Sequence, residues 1–589
     1  MTDPRQHIDV PHPHTDSARW GSDLIADAIR ALGFRHVALN PGSSFRGLHD
    51  SLVNHLGNRQ PQMLLCLHEE HAVSIAHGWA KVTGQPMAVV LHANVGLMHA
   101  AMAIYNAWCD RVPMVIFGAT GPVAADKRRP WIDWIHTSRD QGALVRPYVK
   151  FDDQPASLPA SLSAIMRAHS VACTAPHGPT YVCFDVSVQE APATAGIALP
   201  DPAKYAPPAP PAVAPETVAQ IKAMLEAAKT PVFLMGRVSR DPQDWAWRVA
   251  LAEACGAKVI TDIKTGATFP TAHPAHSGPP SFFLADAPAK DLAKADLVLA
   301  FDWVDTAGTI EQAGATGALI YISMDHQLAN GWSLDHMAQP AADLHVAAQP
   351  DTVIQALAHS MGLACPAGPT TSTAQNLPAP NLPDDQPLSM QTLPQALAEG
   401  LAGRPTCLVR LPLGWDGGGR HFAHPLDYLG YDGGAGIGSG PGMLVGAALA
   451  LQDSGRMPVA VLGDGDTMMG ISALWTGARY QVPFVLVVCN NRSYFNDEVH
   501  QEKVARMRQR PVENKSVGQA IADPDIDFAA LAQAQGLRGL GPVHTPQALA
   551  QALREAQGLF DQGHAVVIDA RVAPEYSEAM SKGMTETGG

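Results

Sequence analysis

The sequence is poor in cysteine and has no long apolar run. Its eight cysteines are scattered over 589 residues without a Cys-x-x-Cys pair, a pattern that indicates neither a disulfide framework nor a zinc site. A reducing compartment fits such a composition. No stretch of about 18 uncharged apolar residues is present, so we predict no transmembrane helix. The first 20 residues also lack the apolar stretch of a secretory signal peptide, and we therefore expect a cytoplasmic protein.

Basic residues are scarcer than acidic ones. The chain has 40 Lys and Arg against 55 Asp and Glu, a formal net charge of -15. This excess of negative charge argues against a general nucleic-acid partner. Hydrophobic residues make up 46% of the chain, which is typical of a globular protein. The length is sufficient for several domains, each with its own core.

Two segments lack any helical or strand period. Residues 196–214 are rich in Pro and Ala, and residues 365–387 are rich in Pro, Thr and Asn. Such compositions are typical of extended linkers. We therefore predict three domains, at residues 17–195, 215–362 and 388–575.

Within each domain, short apolar runs alternate with longer amphipathic segments such as "EEHAVSIAHGWAKVTG", which predicts a helix. Continuous apolar runs spaced by helices indicate parallel strands that are buried on both faces. The sequence thus predicts three doubly wound α/β domains. The predicted strands are HVALNPG, PMAVVLHA, VPMVIFGA and GPTYVCFDV in the first, TPVFLMG, AKVITD, DLVLAFD and ALIYISM in the second, and PVAVLGDG, VPFVLVVCNN and GHAVVIDARV in the third.

Polar groups follow two of these strands in the third domain, where ligands of doubly wound folds bind. Gly463-Asp464-Gly465 ends one apolar run and Asn490-Asn491 ends the next. The Asp464 carboxylate, the Asn491 amide oxygen and the backbone carbonyl of Ser493 are oxygen ligands of the kind that Mg²⁺ prefers. The flanking glycines allow the backbone to approach a diphosphate closely. An ordinary strand-to-loop turn is the alternative interpretation of a lone Gly-Asp-Gly.

Together, these segments resemble the thiamine-diphosphate-dependent enzymes of the pyruvate oxidase, acetolactate synthase and benzoylformate decarboxylase group. The resemblance covers roughly residues 18–575 and includes "NPGSS" (40–44), Glu69 nine residues before Gly78, and the spacing from Gly-Asp-Gly to Asn-Asn. It implies a pyrimidine-binding domain, a central Rossmann-like domain and a diphosphate-binding domain. It also implies thiamine diphosphate and Mg²⁺ as cofactors.

The resemblance assigns roles to individual residues. Glu69 matches the glutamate that hydrogen-bonds N1′ of the aminopyrimidine, and Ile437 matches the apolar residue that holds the cofactor in a bent form. The metal ligands correspond to Asp464, Asn491 and Ser493. The cofactor-binding residues implied in this way are Glu69, Ile437, Gly438, Ser439, Gly463, Asp464, Gly465 and Asn491.

His92 and Ser43 favour the benzoylformate decarboxylase branch. They match a catalytic histidine and a serine that those enzymes place near the substrate carboxylate, and a histidine can relay protons near neutral pH. We therefore expect a lyase that decarboxylates a small 2-keto acid and also acts as a carboligase. The resemblance implies a homodimer or homotetramer with active sites shared between subunits.

Several departures keep other reactions open. Residues 300–312 lack the second active-site histidine of benzoylformate decarboxylases, position 99 is His where Asn is usual, and Asp466 adds a negative charge near the expected diphosphate. An acetolactate-synthase-type carboligase and a 2-hydroxyacyl-CoA lyase are the enzymatic alternatives. A non-catalytic binding module is a third alternative, although such proteins usually lose the glutamate or the metal ligands.

No Gly-x-Gly-x-x-Gly motif follows a predicted strand of the central domain, so we do not expect FAD there.

Overall fold

Three parallel β-sheets organise the molecule. The computed structural model describes residues 8–12, 19–325, 340–364, 368, 382, 386–415, 418–576 and 580. Each sheet is covered by helices and lies in one of the three successive parts of the chain. This confirms the predicted fold class of three doubly wound parallel-sheet domains.

The first domain holds six strands in the order β2-β1-β3-β4-β6-β5. Its strands are β1 (His36–Leu39), β2 (Gln62–Leu65), β3 (Ala88–Leu91), β4 (Met114–Thr120), β5 (Phe151–Asp153) and β6 (Pro179–Asp185). Its helices are α1 (Gly21–Ala31), α2 (Arg46–Asp50), α3 (Glu69–Thr83), α4 (Ala93–Cys109), α5 (Ile132–Ile135), α6 (Leu158–Ala172) and α7 (Val186–Glu190). The strands β3, β4 and β6 are buried along their whole length.

The second domain holds five strands in the order β11-β10-β9-β7-β8. These are β7 (Pro231–Met235), β8 (Lys258–Thr261), β9 (Leu297–Phe301), β10 (Ala318–Ile322) and β11 (Leu344–Val346). The helices are α8 (Pro215–Ala227), α9 (Pro242–Cys255), α10 (Asp286–Ala293), α11 (Thr306–Ala313) and α12 (Pro350–Ser360). Of the two predicted linkers, 196–214 is described and contains a short 3-10 turn at Pro202–Tyr205, whereas most of 365–387 lies outside the described residues.

The third domain repeats the architecture with the strand order β12-β13-β14-β16-β15. Its strands are β12 (Thr406–Arg410), β13 (Met457–Gly463), β14 (Val485–Asn490), β15 (Arg538–Val543) and β16 (Val566–Arg571). Its helices are α13 (Leu393–Gly400), α14 (Gly440–Leu451), α15 (Asp464–Gly470), α16 (Ala473–Arg479), α17 (Phe495–Met507), α18 (Phe528–Ala534) and α19 (Pro546–Asp561).

The first and third domains dock through a glycine-lined contact between α3 and α14. A Cβ added to Gly78 of α3 would lie 2.0 Å from the carbonyl oxygen of Met443, and one added to Gly446 of α14 would lie 1.9 Å from that of Ile75. The two backbones therefore touch directly, and only glycine fits at these positions. One hydrophobic cluster spans both domains as a result, since Ile75 and Met443 belong to the same core. In the part of the chain that the structure describes, no helix is long and apolar enough to cross a membrane.

Candidate active site

Asp464 lies where β13 passes into α15. Its side chain is buried, with 3% of the residue exposed, and its Oδ1 accepts a hydrogen bond from the Gly465 amide at 2.8 Å. The other oxygen, Oδ2, is buried without a hydrogen-bond partner among the described residues. Burial raises the pKa of Asp464 to about 6, against the opposing effect of amide donors from Gly465, Arg492 and Ser493. A buried carboxylate oxygen of this kind is suited to a cation, which would satisfy it.

Asn491 and Ser493 lie beside Asp464 in the loop after β14. Arg492 has a left-handed backbone, with φ of +59°, and this turn lets the Ser493 amide donate to Asn491 Oδ1 at 3.0 Å. Ser493 is buried and its hydroxyl donates to Glu498. The loop is therefore held in one shape before any ligand arrives. The ring of Tyr494 covers Gly465, where an added Cβ would lie 2.5 Å from Tyr494 Cε1.

The second glycine-rich loop carries Ile437, Gly438 and Ser439 to the same end of the sheet. Ile437 is half-buried. Gly438 has φ of +109°, a conformation that favours glycine. Buried Ser439 accepts a hydrogen bond from Asn106 Nδ2 of α4 at 2.7 Å. The first domain thus fixes the loop that leads into α14.

Asp466, which appears in the sequence as an extra negative charge, is neutralised within the protein. Its Oδ1 accepts from the Gly438 amide at 2.7 Å, and its Oδ2 lies 3.2 Å from Nη2 of Arg410. Arg410 is fully buried, pairs with Asp432 at 2.7 Å and lies over the Tyr431 ring. Asp466 therefore acts as a brace between α15 and the glycine-rich loop.

Glu69 and Glu70 begin α3 and face different elements. His68 caps the helix by accepting the Glu70 amide on its Nδ1 at 3.2 Å. The buried Glu69 carboxylate points to α4, where Oε2 lies 3.0 Å from His99 Nδ1. Glu70 instead lies beside the glycine-rich loop, since its Oε1 is 3.2 Å from the position of a Cβ on Gly438. Burial and the charge of Asp466 raise the pKa of Glu70.

His92 ends β3 and is held by Ser44 rather than by Ser43. The Ser44 hydroxyl lies 2.9 Å from His92 Nδ1 and also accepts the Ala93 amide at 3.1 Å. The Ser44 amide also donates to Nδ1 at 3.4 Å, so Nδ1 is an acceptor and the proton of neutral His92 is on Nε2. Ser43 is exposed, and its predicted contact with a substrate carboxylate stays a prediction.

A second histidine lies against His92. The ring of His136, in the segment after α5, meets that of His92 edge to face with centroids 4.9 Å apart. Burial lowers the pKa of His92, the charge of His136 lowers it further, and Glu69 opposes both. His136 Nδ1 is buried without a hydrogen-bond partner in the described part of the chain. Sequence reasoning did not place His136 beside His92, because "WIHTSRDQG" gives no periodic pattern.

The site was thus only partly visible in the sequence. Asp464, Asn491 and Ser493 come together at the end of the third sheet, and Ile437 to Ser439 lie on the adjoining loop. Glu69 and His92 come together at the end of the first sheet. The bracing residues were missed: Arg410, Asn106, Ser44 and the contact of His99 with Glu69. The buried Arg410 in the apolar strand "TCLVR" was the signal that could have found one of them.

Comparisons with known proteins match all three parts of the chain. Residues 19–144 match the thiamine pyrophosphate enzyme N-terminal TPP binding domain, residues 218–357 the central domain, and residues 417–570 the C-terminal TPP binding domain. The chain is 26% identical over 566 residues to benzoylformate decarboxylase from Pseudomonas aeruginosa, covering 90% of this chain and 95% of that protein. It is 24% identical over 573 residues to acetolactate synthase from Bacillus subtilis, covering 95% and 94%. The solved structure of a 4-hydroxybenzoylformate decarboxylase from Rhodococcus jostii RHA1 shares the fold, with a TM-score of 0.72, 23% identity, and coverage of 94% of this chain and 99% of that one.

Proposed function

Because the chain belongs to the thiamine pyrophosphate enzyme family, we propose that it is a thiamine-diphosphate- and Mg²⁺-dependent decarboxylase of 2-keto acids with carboligase activity. The observation that carries the choice of reaction is His92, which Ser44 holds with its proton on Nε2 near the buried Glu69. The similarity to benzoylformate decarboxylase along most of the chain supports it.

The metal-holding group fits Mg²⁺ by its chemistry. The Oδ2 of Asp464, which has no hydrogen-bond partner among the described residues, the amide oxygen of Asn491 and the Ser493 carbonyl are hard oxygen ligands. Gly463 and Gly465 carry no side chain, so a diphosphate could approach the backbone on either side of Asp464 closely. Gly438 and Ser439 belong to the second glycine-rich loop, which would also face the diphosphate. Asp464, Asn491 and Ser493 would hold the Mg²⁺, which would supply positive charge beside the diphosphate.

When bound, thiamine diphosphate supplies a nucleophilic carbon and an electron sink for the electron pair that CO₂ leaves behind. Glu69 would hold the aminopyrimidine through its carboxyl group, which is buried and already fixed on one side by His99. Ile437 would support the cofactor from the glycine-rich loop. These residues orient the group rather than react with the substrate.

His92 would move a proton at the substrate. Neutral His92 carries its proton on Nε2 because Nδ1 accepts from Ser44. After taking up a second proton, the ring could deliver one to a carbon or oxygen that becomes basic after CO₂ leaves and return to its neutral form. Burial and His136 lower the pKa of His92, which makes its imidazolium form a stronger acid. Gly42 supports this placement, since an added Cβ there would lie 2.2 Å from His92 Cβ.

We further propose that two subunits share each site, in a homodimer or homotetramer. Glu69 faces α4 of its own domain, and the residue that faces the chain's own glycine-rich loop is Glu70. Within one chain, Glu69, which would bind the aminopyrimidine, and the glycine-rich loop, which would face the diphosphate, therefore do not face each other. A second copy that presents its glycine-rich loop to Glu69 would complete the site.

The test is a panel of 2-keto acids incubated with the protein, thiamine diphosphate and Mg²⁺. We expect CO₂ release and an aldehyde product from benzoylformate or a related acid, and a large loss of kcat in His92→Gln. The matched control is His564→Ala, a histidine beside the edge strand β15 that contacts Arg538. The proposal fails if no 2-keto acid releases CO₂ above the cofactor-only rate.

An acetolactate-synthase-type carboligase is the second candidate, favoured by the similarity to acetolactate synthase over nearly the whole chain. Residues 300–312 also lack the second histidine of the decarboxylase branch. Pyruvate as sole substrate separates the two: acetolactate accumulates for the carboligase, whereas acetaldehyde accumulates for the decarboxylase. Acyl-CoA substrates in the same panel would reveal a 2-hydroxyacyl-CoA lyase by the release of CoA-bound products.

A further inference from the structure

The Glu69 carboxylate is confined between two helices. It is the first residue of α3, and its Oε2 contacts His99 Nδ1 at 3.0 Å on α4. Its Oε1 lies 3.0 Å from the position of a Cβ on Gly96, one turn before His99. A larger residue than Gly96 would therefore push on the carboxylate. Both oxygens of Glu69 are thus set by the first turns of α4.

His99 is in turn fixed by His68. The two rings stack with centroids 4.9 Å apart and an interplanar angle of 20°. His68 cannot rotate freely because its Nδ1 accepts the Glu70 amide and caps α3. The His99 side chain is 51% exposed, whereas that of Glu69 is only 7% exposed. The imidazole of His99 therefore connects a buried carboxylate with solvent.

The contact with Glu69 indicates which nitrogen of His99 carries a proton. A carboxylate only accepts hydrogen bonds, so His99 Nδ1 carries a proton in the contact with Oε2. The titratable groups that face this pair are few. On α3 they are His68 and, 5.3 Å from its ring, His71, and at the start of α4 His92 interacts electrostatically with Glu69. Burial lowers the pKa of His68 and the neighbouring His99 lowers it further, whereas Glu69 opposes both.

From this geometry we infer that His99 is a positioning residue that orients the Glu69 carboxylate by donating a hydrogen bond from Nδ1 to Oε2. This inference rests on the role of Glu69 in the proposed function.

The first test uses the protein without cofactor, so its outcome is independent of the reaction. Histidine labelled at Cε1 gives one NMR signal per imidazole, and the His99 signal is the one missing in His99→Asn. We expect the His99 signal to shift in Glu69→Gln, because the acceptor of its Nδ1 hydrogen bond changes from a carboxylate to an amide. Glu70→Gln is the matched control and should leave the His99 signal unchanged. An unchanged His99 signal in Glu69→Gln overturns the contact.

The second test uses the loaded enzyme and asks whether a hydrogen-bond donor at position 99 is what turnover needs. The amide of His99→Asn can still donate to Glu69, so we expect kcat within about threefold of wild type. His99→Ala removes the donor and should lower kcat about tenfold or more, with unchanged circular dichroism. Full activity of His99→Ala, or a loss in His99→Asn as large as that in His99→Ala, overturns the positioning role. If the NMR shift is found while no turnover is found, the proposed reaction fails and the contact between His99 and Glu69 stands.

Discussion

The contact between α3 and α14 predicts that Gly446→Ala destabilises the protein although alanine is the better helix former. The added Cβ would lie 1.9 Å from the Ile75 carbonyl oxygen and 2.9 Å from the Trp79 amide nitrogen. Both are backbone atoms, so no side chain can rotate out of the way. The helices would have to separate locally by about 1.5 Å to restore an ordinary contact, in a core packed to near crystal density.

The expected magnitude combines two opposed terms. Overpacking of this kind costs about 1–3 kcal/mol, and the upper end applies because the obstruction is backbone. Replacing a helical glycine by alanine returns about 1 kcal/mol. We therefore expect a net loss of about 2 kcal/mol in the free energy of unfolding. Because α14 follows directly from Ser439 and α3 begins at Glu69, thiamine diphosphate should also bind more weakly.

Gly558→Ala is the matched control, since this helical glycine of α19 has nothing within 4 Å of an added Cβ. Urea denaturation followed by circular dichroism should show a lower midpoint for Gly446→Ala, and an equal or higher midpoint for Gly558→Ala, whose gain is at most about 1 kcal/mol. If both variants are at least as stable as wild type, the helices are not in direct backbone contact and the reasoning is refuted.

The remaining predictions concern the cofactor residues. Glu69→Gln should nearly abolish turnover while thiamine diphosphate still binds by calorimetry, and Glu70→Gln should be mild; more than about a tenth of wild-type kcat in Glu69→Gln, a barrier change of only ~1.4 kcal/mol, contradicts the assignment. Asp464→Ala should lose Mg²⁺ and with it most affinity for thiamine diphosphate, and an unchanged affinity would remove Asp464 from the ligand set. Mixing inactive Glu69→Gln with inactive Asp464→Ala under subunit exchange should restore activity, because a mixed dimer has one site with neither change. Mixed dimers that form by native mass spectrometry but stay inactive would disprove shared sites.

The sequence predicts the interior strands better than the edges. The apolar runs identify every central strand of the three described sheets, because a parallel strand covered on both faces is apolar at successive positions. Among edge strands, β8 alone was identified, and β2, β5, β11, β12 and β15 were not. The edge strand β15, "RGLGPV", is half-exposed to exposed, so its residues follow no apolar run. The helix predicted at residues 69–84 is confirmed as α3, which ends at Thr83 with Gly84 in the left-handed region.

The number of parallel sheets, the fold class and the family follow from the sequence. Local patterns are enough for these, since apolar runs and glycine-rich turns occupy consecutive residues of the chain. Which side chains meet depends on the tertiary structure. Ser44 rather than Ser43 holds His92 because the turn after β1 exposes one serine and buries the next. His99 reaches Glu69, and Arg410 reaches Asp466, from elements distant in the chain. Such contacts depend on how helices and sheets pack against one another, and a local pattern of residues does not predict that packing.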